Sequence, residues 1–189
     1  LKYLKKNGFE SVFIDEISKS KNKKIIITFD DGYKDLISNS LPILKKYNFK
    51  ATCFVVSNLI GETNSWDEND TKITKKKLMN RMDIALWIKN GMKIGSHSKN
   101  HENLTNLSYE RMLNEITESK FYLENLIDSS VDSFCYPYGS FNKKIINEVK
   151  KIINLHLQLN DLGMIKVFII TMSYLELIWE KKCQILKCI

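Results

Sequence analysis

Lys24-Ile25-Ile26-Ile27-Thr28-Phe29-Asp30-Asp31-Gly32 is the stretch on which the fold turns. Residues 24–29 are largely β-branched and nearly continuously apolar, the pattern of a strand buried on both faces. The acidic pair and the glycine end it abruptly. The same alternation repeats downstream. Leu36, Ile37, Leu41, Ile43, Leu44 and Tyr47 approximate helical spacing, with Pro42 kinking or splitting that helix. Residues 51–56 read as a second buried strand, and the polar stretch 57–74, with Gly61, Trp66 and several carboxylates, is long enough for a functional loop. A helix is expected over 75–89, capped by Thr74 and stopped at Gly91, burying Leu78, Met79, Met82, Ile84, Ala85, Leu86, Trp87 and Ile88. Residues 92–95 form a third strand. Ser108 then caps a helix that buries Met112, Ile116, Leu123 and Leu126 and turns Glu115 and Glu118 outward. Residues 133–136 give a fourth strand, and 142–152 a last helix. Strand and helix in strict succession imply parallel βαβ units, in an open doubly wound sheet or a barrel.

Working further outward, the 189 residues fit a single domain, 1–189, of ordinary globular composition, with 43% hydrophobic and 27% charged residues. The net charge of +7 suggests an affinity for polyanions, but Arg81 and Arg111 are the only arginines among 29 basic residues. Scattered lysines give a solvated basic surface and lack the forked donors that read bases, so nucleic acid is not an expected partner. Cys53, Cys135, Cys183 and Cys188 form no C-x-x-C pair, which argues against a zinc ribbon or a disulfide framework. Leu1 enters directly into the end of an amphipathic helix stopped by Gly8, so an upstream segment is expected. After residue 152 the punctuation fades and no element is assigned. Asp161, Lys166, Glu176, Glu180, Lys181 and Lys182 interrupt that tail, leaving no apolar run near the roughly 20 residues of a membrane span.

The chemistry-bearing residues follow the strands. Asp30 and Asp31 come after the first buried strand, His97 and His101 after the third, Pro137 and Tyr138 after the fourth. Carboxyl ends of parallel strands share one face of a sheet, where α/β folds build their sites. Two of the three histidines stand four residues apart in His97-Ser98-Lys99-Asn100-His101, close enough for both imidazoles to reach one ion, with a nearby carboxylate as third ligand. Zinc suits such a set; cobalt or another divalent ion is the alternative. Taken alone, the histidine pair is better read as two surface turn residues, and Asp-Asp-Gly as an ordinary turn into a helix. Together they favour a metal site. Adjacent carboxylates are costly unless a cation or proton relieves them, so one would bind the ion while the other takes a proton from water.

Thr28-Phe29-Asp30-Asp31-Gly32, His97-Ser98-Lys99-Asn100-His101 and Tyr136-Pro137-Tyr138-Gly139, in that order, resemble the motifs of the polysaccharide deacetylases of carbohydrate esterase family four. The likeness extends over 1–152, with 153–189 a divergent tail. It implies a distorted, incomplete (β/α) barrel and a metal-dependent hydrolase that removes acetyl groups from an N-acetylated glycan, such as peptidoglycan or poly-N-acetylglucosamine, at the cell surface or outside the cell. By motif position Asp30 would be the general base, Asp31, His97 and His101 the metal ligands, and the Tyr138 N–H an oxyanion donor, with Pro137 fixing the substrate-binding turn. Two departures stand out. Cys135 occupies a place where many members carry an arginine. The late Leu-x-His motif of the family has no match after residue 151, and His156 reads as an ordinary core or surface histidine. The alternatives are therefore a truncated, inactive member that binds metal or glycan without turnover, and a lysine-rich binding module for an anionic polymer.

Overall fold

A computed structural model describes residues 1–16, 23–67 and 74–153, and the backbone of 167–172. Helix α1 (Lys2–Lys6) ends at Asn7 and Gly8, and β1 (Phe9–Ser11) follows. The apolar run becomes β2 (Lys23–Phe29), buried from Lys24 onward. Pro42 does split the next segment: a π-helical turn, Leu36–Ser40, leads into α2 (Leu41–Tyr47), where the proline takes a first-turn position that needs no N–H donor. Then come β3 (Thr52–Val55), α3 (Arg81–Lys89), β4 (Lys93–Ser96), α4 (Tyr109–Ile127), α5 (Lys143–Ile153) and β5 (Val167–Met172).

Among the described residues every pairing between strands is parallel. Along one edge of β2 lie first β1, with Phe9 opposite Lys23, and then β3, with Phe29 opposite Cys53. The other edge takes β5 over its full length, from Lys24 opposite Val167 to Phe29 opposite Met172. Strand β4 flanks β3, and the expected fourth strand shrinks to one parallel bridge between Ser96 and Phe134, secured by the Ser96 and Cys135 N–H groups. The described strands make an incomplete parallel sheet with helices, an α/β architecture. β5 falls in the segment that the sequence pattern left unassigned, whereas His156 lies outside the described residues.

Strand alternation separates two faces. Ile25, Ile27, Phe29, Cys53, Val55 and Ile94 pack with Leu41, Leu44, Ile84 and Trp87 of α2 and α3. Phe54 sits with Cys135 on the opposite face. A Cβ on Gly95 would stand 2.5 Å from the Phe54 ring, so glycine makes room for that ring. A second cluster joins Met112, Ile116, Ile145 and Val149 of α4 and α5 to Phe134 and Tyr136.

Two expectations need correction. Helix α3 begins at Arg81, because residues 76–79 are extended: Leu78 bridges Tyr33, Lys77 bridges Thr63, and the Met79 N–H donates to the Gly32 carbonyl at 2.8 Å. The cap is Asn80, in a reciprocal capping box with Asp83, and not Thr74. The buried side of α3 is Ile84 and Trp87, so Met82, Ala85 and Leu86 face outward and Met82 is 81% exposed. On α4, Glu115 does not face solvent; it is buried beside Met112, Ile116 and Ser119.

Candidate metal centre

The site is built on the carboxyl ends of β2 and β4 and on the turn after Tyr136. Past Phe29 the chain reverses through Asp31 (φ 70°) and Gly32 (φ 76°), with the Gly32 N–H donating to the Asp30 carbonyl at 2.9 Å. Glycine is required at 32, since a side chain would adopt a disfavoured φ and press on Val55 at 3.3 Å. His97 follows β4 directly, tied by its N–H to the Val55 carbonyl at 3.0 Å. Ser98 (φ 64°) and His101 (φ 61°) return the chain, and the His101 N–H donates to Ser98 Oγ at 3.0 Å.

These turns bring three side chains to one point. Asp31 Oδ1 lies 3.3 Å from His97 Nε2 and 3.3 Å from His101 Nε2. The three ligand atoms lie within 4.8 Å of one another, with both imidazoles buried. His97 Nδ1 is 2.8 Å from the Cys135 carbonyl, which can only accept, so that nitrogen carries the proton and Nε2 faces the centre. Among the described residues His101 Nδ1 is buried without a hydrogen-bond partner, which leaves Nε2 as the polar contact of that ring. Two nitrogens and one carboxylate oxygen suit a zinc-like divalent ion.

The electrostatics of the three groups are coupled. Burial would raise the Asp31 carboxyl, yet hydrogen bonds from His101 and His97 hold it well below the usual carboxylate range. Burial would lower His97, but contact with Asp31 and the field of Asp30 outweigh it and raise its pKa. His101 is lowered, first by burial and then by the neighbouring His97. Both imidazoles thus hydrogen-bond the Asp31 carboxylate, and of the two only His97 is shifted toward its charged form.

Asp30 also adjoins His97: one oxygen of its carboxylate, a His97 ring nitrogen and the Cys135 thiol lie within 4.8 Å of one another. Pro137 is buried in the short turn Pro137–Gly139, and Tyr138, at φ 58°, is 55% exposed with its ring 4.7 Å from that of His101. All six residues singled out from sequence therefore meet at one end of the sheet. Two neighbours were not foreseen. Trp66, on the turn Ser65–Asp67, stacks on His101 at 4.3 Å, and only its place in the long loop hinted at it. Glu115 bonds the backbone between the histidines. Its spacing from Met112 and Ser119, three before and four after, was the available signal.

Residues 18–153 match the sequence profile of the polysaccharide deacetylase family. The chain belongs to that family. Among its deacetylase relatives, YxkH of Bacillus subtilis, named for the same family, is 28% identical over 158 residues, covering 80% of this chain and 52% of that protein. The poly-beta-1,6-N-acetyl-D-glucosamine N-deacetylase of Staphylococcus aureus (strain MRSA252) is 30% identical over 145 residues, covering 75% of this chain and 49% of the relative. The chain thus spans about half the length of these curated relatives. Streptococcus pyogenes deacetylase PplD, solved in complex with acetate, shares the fold with a TM-score of 0.68 at 22% identity, over 80% of this chain and 66% of that one. No described helix is long and apolar enough to cross a membrane.

Proposed function

We propose that this chain is a metal-dependent hydrolase that removes N-acetyl groups from an N-acetylated polysaccharide of the poly-N-acetylglucosamine or peptidoglycan type, acting at the cell surface or outside the cell. The observation that carries the reading is the meeting of both Nε2 atoms on one oxygen of Asp31. Asp31, His97 and His101 would hold one divalent ion, zinc in the first instance. Once bound, the ion supplies a Lewis acid that acidifies water and polarises the amide carbonyl. Asp30, close to His97, takes the proton of the attacking water and returns it to the departing amine. The Tyr138 N–H, presented by a left-handed turn, donates to the carbonyl oxygen as it gathers negative charge. The exposed Tyr138 ring and the Trp66 ring flank His101 and offer apolar faces to a sugar. Similarity to the staphylococcal enzyme supports a β-1,6-linked glucosamine polymer as the first substrate to try.

The test is acetate release from N-acetylglucosamine oligomers with zinc or cobalt supplied. Release by the wild type that Asp30→Asn abolishes is the expected outcome. No release with either ion would contradict the catalytic reading, and metal binding without acetate would select the non-catalytic member.

A further inference from the structure

Between the two histidines the chain makes a tight excursion whose Ser98 and His101 both adopt left-handed backbone, at φ 64° and 61°. Side chains with a Cβ disfavour that conformation, so the turn has to be held by its surroundings. One wall is the segment after β3: the Ser57 N–H donates to the Ser98 carbonyl at 3.2 Å and the Asn58 N–H to the Lys99 carbonyl at 3.0 Å. The other wall is α4, and there the contact is made by a carboxylate only 4% exposed. Glu115 Oε2 accepts from the Lys99 N–H at 3.1 Å and the Asn100 N–H at 2.8 Å, while Oε1 accepts from Asn100 Nδ2 at 2.6 Å. The Asn100 amide is spanned in turn, since its Oδ1 accepts from Asn58 Nδ2 at 2.8 Å. One helical turn on, Ser119 Oγ donates to the Ser98 carbonyl at 3.0 Å.

Burying a carboxylate is costly unless its oxygens are satisfied. Here the bonds to both oxygens come from the two residues midway between His97 and His101. We propose that Glu115 is a positioning residue for the metal centre: by bonding the Lys99 and Asn100 amides to α4, it fixes the separation and direction of the two imidazoles. The inference rests on the reading of Asp31, His97 and His101 as metal ligands.

The experiment compares the wild type with Glu115→Ala, Glu115→Gln and Asn100→Ala. Cobalt titrations followed by visible absorption read affinity and ligand geometry, and amide hydrogen exchange reads the metal-free turn. Glu115→Ala is expected to weaken cobalt binding about 10–100-fold, to alter the cobalt spectrum, and to speed exchange at Lys99 and Asn100 while leaving β2 unchanged. Glu115→Gln should recover most of that loss, because its carbonyl oxygen still accepts from both amides. Asn100→Ala, which removes the bond to Oε1 and the bond from Asn58 but keeps both backbone bonds to Oε2, should fall between Glu115→Ala and the wild type. A folded Glu115→Ala that binds cobalt within twofold of the wild type overturns the proposal. If that variant does not fold, Glu115→Gln and Asn100→Ala decide: both within twofold overturns it, and a loss in Asn100→Ala with faster exchange at residue 99 supports it. A wild type that binds no cobalt overturns the metal reading and this role with it; wild-type binding with unchanged variants overturns the role of Glu115 alone.

Discussion

Asp31 carries the centre because both imidazoles converge on a single one of its oxygens. If these three residues hold the ion as proposed, replacing Asp31 with asparagine removes the charge that a cation needs and His97→Ala or His101→Ala removes a candidate ligand, so each should cut zinc affinity by at least tenfold in calorimetric titration. With Asp30 as the proposed general base, Asp30→Asn is expected to behave differently, keeping the ion while acetate release falls roughly 10²–10⁴-fold, the usual range for loss of such a base. Binding should also depend on pH with a definite sign. The pKa of His97 is raised, so below that pKa a proton competes with the ion, and affinity should drop about tenfold per pH unit for each proton displaced. Titrations at pH 8, 7 and 6 check this, and a constant affinity would contradict it. These residues were legible in the sequence because two histidines four positions apart and two adjacent carboxylates at a strand end, taken together and at the ends of parallel strands, limit what they can do. Glu115 was not, since a glutamate in an amphipathic helix reads as solvated unless its partner turn is known to lie against that face. Backbone conformation adds what spacing cannot. Of the non-glycine residues described at positive φ, Asn48 and Asp128 end helices, while Asp31, Ser98, His101 and Tyr138 all belong to the site.

The elements that carry the site are held by close packing and by caps. Gly95 in β4 lies one residue before Ser96, which leads into His97, and a Cβ there would overlap the Phe54 ring at 2.5 Å and Ser133 Oγ at 2.7 Å. Gly95→Ala should therefore destabilise the protein by about 1–3 kcal/mol in urea unfolding, the usual cost of overpacking a core. An unchanged midpoint would show that the ring can move aside. Strands 24–29 and 51–56 were readable because double burial demands an unbroken apolar run, and the alternation of strands with helices followed from it. Residues 74–80 were misread for a physical reason. Leu78 and Met79 continue the helical apolar pattern of Ile84 and Trp87, but they are buried by pairing with Tyr33 and Gly32, a long-range contact with no local signal. Asn80→Ala, which breaks the capping box, should cost about 1 kcal/mol if α3 begins there.

At the scale of the molecule, the candidate ligands come from turns after β2 and β4, with β3 between them and α4 bracing the second turn. An ion that binds only this assembled arrangement stabilises the fold by mass action, about 2.7 kcal/mol when its free concentration is 100 times the dissociation constant. Thermal unfolding should accordingly shift upward with added zinc and return to its metal-free value with a chelator. β5 shows why the later chain was opaque to sequence reading: Val167–Met172 lies in an apolar-rich stretch with little punctuation, and its identity as a strand depends on the edge of β2 that it meets. The lysine-rich composition remains a surface property, and the family match directs attention to glycans in its place. The central claim is that Asp31, His97 and His101 bind one divalent ion. It is tested most directly by an anomalous difference map at the zinc edge from crystals grown with zinc. The account predicts a single strong peak within bonding distance of both Nε2 atoms and the Asp31 carboxylate; a zinc-soaked crystal with those side chains apart, or with the ion bound elsewhere, would contradict it.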